Sequence, residues 1–386
     1  MITSKMLPVL AAAGTLAAIN PAFAGCDVTP VTQQASTAAS TNTAGLIASR
    51  VTSVVTGGGG FTASSGGGAT GGGTTPGGTS TGSGGPTLNT APTPTSSSCG
   101  ATTTPPPDNL TEDEATSRQG SSAAANKSGK INSVWVASSV TWLKKTDRNG
   151  DFGGTITNGI VGYDRRLTES LIGGLAVGYE KVLINTKYVA NGGSVEGDTV
   201  SFSPYLGYSI NDWLVADGVA GYARITYRFK SNATEIGDAT ANRIFGAGNL
   251  TAYTRYDDTL LKATLGYLRI AEFQGNYTTN ANTFNRDSLA NFGQVRATLA
   301  AGHDLKTSYG VFTPNVFARY EYDLPHAQKV DLANSYRSSN DPDGVVFGVG
   351  LDFLVSDFKV NVGASTSQFR ENLESYSLDA TVRYAF

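Results

Sequence analysis

The chain has 386 residues, with 28 lysines and arginines against 31 aspartates and glutamates, so its formal net charge is only −3. Because no basic excess is present, the composition does not point to nucleic acid as a partner. Only two histidines and two cysteines occur in the whole chain, which argues against histidine-based catalysis and against a cysteine–histidine metal site. The 17 tyrosines, 16 phenylalanines and 47 glycines instead favour a β protein.

The N-terminus has the three parts of a secretory signal peptide. Lys5 supplies a positive charge, residues 6–19 are mostly apolar, and Ala22 and Ala24 form the small-x-small pattern that signal peptidase cleaves. The apolar stretch is too short for a transmembrane helix, and no other run of about 18 apolar residues follows. We therefore predict export of a chain that begins near Gly25.

The two cysteines, Cys26 and Cys99, both precede the strand-rich part of the chain. They can form a disulfide in the oxidising periplasm. Alternatively, Cys26 can be acylated at a lipoprotein cleavage site, although Phe23 stands where such sites usually have leucine. Free thiols are the third possibility, and the sequence leaves all three open.

Residues 25–107 are rich in glycine, serine, threonine, alanine and proline. Such a segment buries too little apolar surface to offset the entropy of ordering, so we predict that it is disordered. Residues 46–55 are its most apolar part but show no periodicity that assigns a helix or strand. Residues 108–130 are more polar, and taken alone they are predicted to be a linker.

From Ile131 to the last residue, short runs alternate between apolar and polar side chains, which is the pattern of β-strands. About twelve such runs can be counted. The last run shows the pattern clearly, with apolar residues at Tyr376, Leu378, Ala380, Val382, Tyr384 and Phe386. We predict an all-β fold, an antiparallel transmembrane β-barrel of about twelve strands.

The opposite faces of these strands carry glycine, small polar residues and charges, as the lumen of a membrane barrel requires. The charged side chains predicted to face the lumen are Lys262, Arg296, Arg319, Glu321, Asp352, Asp379 and Arg383. Because buried charges need partners, we expect them to pair with one another or with a plug.

The connections between runs alternate in length along the chain. Long ones are predicted at 181–197, 228–241, 271–288 and 323–344, and short ones at 211–212, 256–259 and 356–357. Outer-membrane barrels have short periplasmic turns and long extracellular loops at opposite ends. The alternation therefore favours a membrane barrel over a soluble sandwich.

The chain from about Ile131 to Phe386 resembles the autotransporter β-domain family in the order and spacing of several short motifs. These are Val134-Trp135-Val136, Gly159-Ile160-Val161-Gly162-Tyr163-Asp164, Leu171-Ile172-Gly173-Gly174-Leu175-Ala176-Val177-Gly178-Tyr179, Pro204-Tyr205-Leu206-Gly207-Tyr208 with Trp213, and the terminal Val382-Arg383-Tyr384-Ala385-Phe386.

The resemblance implies a twelve-stranded barrel in the bacterial outer membrane that anchors an N-terminal passenger and helps to move it to the cell surface. It also implies a helix through the lumen ahead of the first strand, here 108–130, and a barrel-assembly signal at Tyr384 and Phe386. The implied partners are outer-membrane lipid, the barrel-assembly machinery and the Sec translocon. This chain departs from the family in its passenger, because residues 25–107 are short and lack the internal repeat of a solenoid.

Neither catalysis nor a bound cofactor is predicted. His303 falls beside a predicted periplasmic turn, His326 lies in a predicted extracellular loop without an identifiable nucleophile, and residues 147–151 lack the later glutamate of a calcium loop. The leading hypothesis is a barrel that anchors and exports its own N-terminal segment. The alternatives are a passive pore or structural barrel with a periplasmic or luminal tail, and an adhesin that acts through its loops.

Overall fold

The computed structural model describes residues 39, 43–47, 131–146, 152–186, 193–231, 234–280, 284–285, 287–324, 342–370 and 373–386. Its strands are β1 (Asn132–Lys145), β2 (Phe152–Arg166), β3 (Leu171–Thr186), β4 (Gly193–Asn211), β5 (Leu214–Ser231), β6 (Thr234–Tyr256), β7 (Thr259–Gln274), β8 (Tyr277–Thr278), β9 (Phe284–Asn285), β10 (Ser288–His303), β11 (Leu305–Thr307), β12 (Gly310–Asp323), β13 (Asp343–Val355), β14 (Phe358–Gln368) and β15 (Leu373–Ala385).

Twelve of these strands form a closed antiparallel barrel, as the sequence predicted. Strands β1 to β7 pair in chain order, β10 pairs with both β7 and β12, and β12 to β15 continue the order. The first and last strands close the cylinder along their whole length, from Ser133 opposite Ala385 to Lys145 opposite Leu373. Each of these twelve strands therefore has two neighbours, so the backbone of the barrel is hydrogen-bonded without any help from water. Strands β8 and β9 pair only with each other.

The two faces of the barrel have opposite chemistry. Large apolar side chains point outward, as shown by Val136, Val161 and Leu265, which are 53%, 58% and 58% exposed. The alternate positions point inward and are buried, and many of them are polar or charged. In a soluble protein the apolar side chains point inward. A barrel with lipid outside and a polar lumen inside requires the opposite arrangement. Among the described residues, no helix is long and apolar enough to cross a membrane.

The strand connections distinguish the two ends of the barrel. Short turns at 167–170, 212–213, 257–258, 304–309 and 356–357 all lie at the end where β1 begins and β15 finishes. The opposite end carries the longer connections, including 275–287 and 324–342. We refer to these as the periplasmic and outer ends, in keeping with the usual arrangement of such barrels.

The long connection predicted at 228–241 is wrong. Strand β5 continues to Ser231 and β6 starts at Thr234, with Thr226 opposite Thr240 and Arg228 opposite Asp238. The hairpin extends beyond the apolar band, where outward residues have no need to be apolar. The alternation that marks a membrane strand is therefore lost although the backbone pairing continues.

A piece of the chain that precedes the barrel lies inside it. Residues 39 and 43–47 are helical, and Ala39, Thr43, Ala44, Leu46 and Ile47 are buried. The sequence analysis placed these residues in a disordered segment, so their helical structure is a difference from that expectation. The other residues of 25–107, and the whole of 108–130 with its predicted luminal helix, lie outside the described residues.

Candidate functional site in the barrel lumen

The luminal segment, residues 39 and 43–47, contacts the wall at more than one height. Ala39 belongs to a buried apolar cluster with Phe152 and Ile184, which lie at the outer ends of β2 and β3. At mid-height, the side-chain amide nitrogen of Asn158 donates a 2.6 Å hydrogen bond to the hydroxyl of Thr43. The segment is therefore attached to the wall by both apolar and polar contacts.

The lower end of the luminal segment contacts a second cluster. Leu46 and Ile47 belong to a buried cluster with Trp135 and Tyr205, and Trp135 is the fourth residue of β1, counted from its periplasmic start. Since Ala39 belongs to the cluster in the outer half of the barrel, the segment runs down the lumen from its amino end to its carboxyl end. Burial of two such aliphatic side chains contributes roughly 1.5–3 kcal/mol each.

The lumen wall near the periplasmic end is held by a buried hydrogen-bond network. The carboxylate of Asp164 accepts one hydrogen bond from the hydroxyl of Ser133 and another from that of Tyr205. The indole nitrogen of Trp135 donates to the Tyr205 hydroxyl oxygen over 2.8 Å. The network joins β1, β2 and β4 beneath the luminal segment.

Four inward aromatic side chains lie flat over glycines on the adjacent strand. The directly opposed pairs are Gly162 with Trp135, Gly174 with Tyr205, Gly221 with Phe245 and Gly348 with Phe317. A Cβ on any of these glycines would lie 2.1–2.2 Å from a ring carbon. The glycines are therefore required for the close approach of ring to backbone, and the rings cover backbone that glycine leaves bare.

We expect Tyr205→Phe to destabilise the barrel by about 1–3 kcal/mol, because it leaves the buried Asp164 carboxylate short of a donor and Trp135 short of an acceptor. The measurement is urea unfolding of the purified barrel in detergent micelles. Tyr208→Phe is the matched control, since Tyr208 is on the same strand but is 49% exposed on the outer face. Equal stability of the two variants would contradict the proposed role of the network.

A buried ion network on the inner face of the barrel joins β3, β6 and β7. Arg243 on β6 contacts Glu272 at 2.9 Å and Glu180 at 3.2 Å, and all three side chains are at most 4% exposed. The hydroxyl of Tyr227 donates to the second carboxylate oxygen of Glu272 over 2.8 Å. One guanidinium thus serves two carboxylates in a region with little water.

A second buried ion network lies on the other side, near the outer end. Arg370 follows β14 and folds back onto Glu321 and Asp323, at 3.2 and 2.7 Å. Glu321 also contacts Arg319 at 2.8 Å, and Gln294 donates to Asp323 at 2.7 Å. These contacts tie the connection after β14 to β12 and β10.

The structure places the lumen charges that were predicted from sequence on the inner face, but it does not bring them all together. Arg319 pairs with Glu321, whereas Arg296 donates to Gln294 over 2.5 Å. Asp352 accepts hydrogen bonds from Asn361 and Asn315, at 2.8 and 3.2 Å. Lys262 and Asp379 are buried, and Arg383 is half-buried.

Sequence reasoning missed several members of the two networks. Arg243 and Glu272 lie beside or within segments predicted to be loops, and Arg370 lies in a connection. Glu180 follows Tyr179 in a recognised strand, so its inward orientation could have been read from the alternation. For the others, no local pattern indicates a position inside the barrel.

Ion pairs outside the membrane band are more exposed. At a periplasmic turn, the Lys306 ammonium contacts Asp258 at 2.6 Å, and this hydrogen bond holds the pKa of that carboxyl below its usual value. Glu196 precedes Val200, which is the strongly exposed apolar residue of β4 nearest the outer end. Its hydrogen bond from Lys230 likewise lowers its pKa. Exposed pairs of this kind contribute little to stability.

The C-terminal residues close the barrel at its periplasmic rim. The backbone nitrogen of Phe386 donates to the carbonyl oxygen of Asn132 over 2.9 Å, and the reciprocal bond is 3.2 Å. The rings of Tyr384 and Phe386 are stacked, with centroids 5.9 Å apart, and they face outward. Their role as a barrel-assembly signal stays a prediction.

The remaining candidate residues give no site for chemistry. His303 lies at the periplasmic end of β10, with Nδ1 2.9 Å from the hydroxyl of Thr259. Within the described ranges, no group of three or more His, Cys, Asp or Glu side chains is arranged to hold a metal ion. Ala22, Ala24, Cys26, Cys99, His326 and residues 147–151 lie outside the described residues.

Comparison with known proteins agrees with the fold. The structure is similar to the translocator domain of the autotransporter NalP from Neisseria meningitidis, at 13% identity and a TM-score of 0.53, covering 71% of this chain and 98% of that one. It is also similar to the transport unit of AIDA-I from Escherichia coli, at 15% identity and a TM-score of 0.56, covering 66% and 90%.

The β domain of the Bordetella autotransporter BrkA gives 13% identity and a TM-score of 0.54 over 66% of this chain and 100% of that one. At these identities the likeness shows the fold alone. No curated protein sequence matches the chain. The model of the autotransporter β-domain matches residues 134–367, more than half of the chain. The protein therefore belongs to the autotransporter β-domain family, whose barrels lie in the bacterial outer membrane.

Proposed function

We propose that the barrel anchors its own N-terminal segment in the outer membrane and helps to bring that segment to the cell surface. The observation that carries the proposal is the luminal segment: residues 39 and 43–47 lie inside the barrel, with Ala39 in its outer half. If the residues ahead of this segment were transported to the outside, the segment itself would occupy the lumen in this direction.

The height of Ala39 favours display over a tail that merely ends in the lumen. Ala39 belongs to the buried cluster that includes Phe152 and Ile184, which lie close to the outer ends of their strands. If the signal peptide is removed after Ala24, about 14 residues precede Ala39, and they can extend by as much as roughly 45 Å. That length exceeds what remains of the lumen above Ala39, so the mature N-terminus would emerge outside.

The test is an epitope inserted between Thr29 and Pro30, probed with antibody on intact cells. We expect the epitope to be accessible, with a periplasmic marker protein inaccessible in the same cells. The control chain lacks residues 343–386 and therefore cannot close the barrel, so its epitope should stay hidden. An epitope that is reached only after the outer membrane is breached would refute the proposal.

Membership of the family supports a further part of the proposal, which concerns the partners of the barrel. The apolar outer face, with Val136 and Val161 half-exposed, fits acyl chains as its partner. Passage through the Sec translocon and insertion by the barrel-assembly machinery are the route that a signal peptide and a terminal Phe386 support. We propose no enzymatic activity and no cofactor for this barrel.

A passive pore is the competing function. The side chains that line the lumen fill it together with the luminal segment: Trp135, Tyr227 and Arg243 are among the largest fully buried side chains. A twelve-stranded barrel lies between the eight-stranded barrels that side chains fill and the sixteen-stranded porins that hold an open channel. The packing therefore favours a closed barrel over a conducting one.

A further inference from the structure

We infer that the outward face of β7 and β10 carries a binding site for the phosphate group of a lipid in the outer leaflet. The site consists of Tyr267 and Arg269 on β7, with Gly293 on β10 beneath them. The inference goes beyond the proposed function and does not depend on it, because it concerns the side of the wall that faces lipid and not the lumen.

Arg269 and Tyr267 converge on one glycine of the neighbouring strand. Arg269 is directly opposite Gly293 on β10 and Gly246 on β6, so neither opposed residue has a side chain. A Cβ on Gly293 would lie 3.1 Å from Nη1 of Arg269 and 3.6 Å from the hydroxyl oxygen of Tyr267. Both polar groups therefore lie over the bare backbone of Gly293, within reach of a single ligand group.

Neither of these donors has a partner in the part of the chain that the structure describes. No hydrogen bond or ion pair joins Arg269 or Tyr267 to a described residue, and both side chains are exposed. The outward Arg224 on β5 differs, because its guanidinium donates to the side-chain oxygen of Asn242 over 2.9 Å. A charge on the lipid face is costly when nothing pairs with it, so Arg269 calls for a partner from outside the barrel.

The position of Arg269 along β7 places it near the outer boundary of the apolar band. It follows the outward Leu261 and Leu265 on the same strand, and it is eight positions from Leu261. That stretch of a tilted strand rises roughly 20 Å, and the apolar band of such barrels is about 25 Å tall. Phe273, further out and 49% exposed, suits the interfacial aromatic girdle. The guanidinium therefore lies where lipid headgroups meet acyl chains.

A phosphate group fits these donors. A guanidinium presents paired N–H groups that match two phosphate oxygens, and the hydroxyl of Tyr267 can donate to a third. No acid competes for Arg269, since the nearest outward positions on the flanking strands are Ile244, Gly246, Asn291, Gly293 and Val295. A lipid fits better than a free anion, because its acyl chains can continue along Leu265 and Leu299, which are 58% and 68% exposed.

The test titrates the purified full-length protein in detergent micelles with lipid A, which carries phosphates, and with its dephosphorylated form. Native mass spectrometry measures the bound lipid. We expect Arg269→Gln to weaken binding of lipid A about tenfold or more, and Tyr267→Phe about threefold, because each removes hydrogen bonds to a charged group. The matched control is Arg224→Gln, which removes the same charge from the outward face and should bind lipid A as the parent does.

Four results would overturn the inference. Equal weakening by Arg224→Gln and Arg269→Gln would assign binding to the charge of the surface as a whole, and equal binding of the two lipid forms by the parent would remove the phosphate from the explanation. Displacement of the lipid by inorganic phosphate at equal concentration would indicate a site for a free anion. A dimeric parent that becomes monomeric on Arg269→Gln would place the residue in an interface between two copies. Each variant is first checked for a folded barrel by its heat-modifiable migration on a gel.

Discussion

Replacing Arg243 with leucine should destabilise the barrel by about 3–5 kcal/mol, because the change leaves two buried carboxylates without their cation. Glu272 and Glu180 contact Arg243 at 2.9 and 3.2 Å. The hydroxyl of Tyr227 still reaches Glu272 at 2.8 Å, but a neutral donor does not replace a guanidinium. The variant should therefore unfold at a much lower urea concentration than the parent barrel.

The matched control for this variant is Arg228→Leu. Arg228 is on the adjacent strand and contacts Asp198 at 2.6 Å, but the two side chains are 41% and 27% exposed. Water can solvate the carboxylate that is left behind, so the loss should stay below about 1 kcal/mol. Comparable losses for the two variants would show that burial does not govern the contribution of Arg243.

A rescue separates the loss of charge pairing from the loss of packing. Adding Glu180→Gln and Glu272→Gln to Arg243→Leu removes both unpaired charges while nearly preserving volume. Replacing a whole buried ion network by neutral groups is often close to neutral in stability. We therefore expect the triple variant to recover most of the lost stability, whereas no recovery would assign the effect to packing.

The barrel could be predicted from sequence because its determinant is local. Within the membrane, each strand needs apolar residues at every second position, and a run such as Tyr376 to Phe386 shows this without any knowledge of its neighbours. The paired strands above the membrane face water on their outer side, so they carry no such pattern. This is why 228–241 was predicted to be a loop although β5 and β6 pair almost to their tips.

The contents of the lumen depend on contacts between residues that are distant in the chain. Arg243 and Glu180 are 63 positions apart, and Asn158 and Thr43 are 115 apart. Inward orientation can be read from the alternation, but the choice of partner depends on strand tilt and register, which a single sequence does not reveal. The luminal segment is harder still, because Leu46 and Ile47 are only two apolar residues in a tract of low complexity.

Removing the luminal segment should convert a closed barrel into a conducting one. Ala39 and residues 43–47 occupy the lumen between a buried cluster in its outer half and a second buried cluster that includes Trp135 in its periplasmic half. Deleting them empties a path along the barrel axis that is lined by buried polar groups such as Asn158 and Glu180. Water would enter such a path, and ions could follow it.

Single-channel recordings of purified protein in planar bilayers measure this effect. We expect stepwise conductance from the chain that lacks residues 39–47 and a closed baseline from the parent. The matched control removes nine residues from the glycine-rich part of 25–107 instead, 66–74, and should remain closed because the luminal segment is intact. Heat-modifiable migration of both deletion chains verifies that each barrel is folded before it is recorded.

The recordings also decide between the two functional hypotheses. A parent chain that conducts as readily as the deletion would mean that the luminal segment does not block the lumen, and the passive pore would then be the better explanation. A closed parent and an open deletion place the barrier in residues 39–47. The wall alone would then be too wide to close the barrel, and the chain's own N-terminal segment would be the part that seals the membrane.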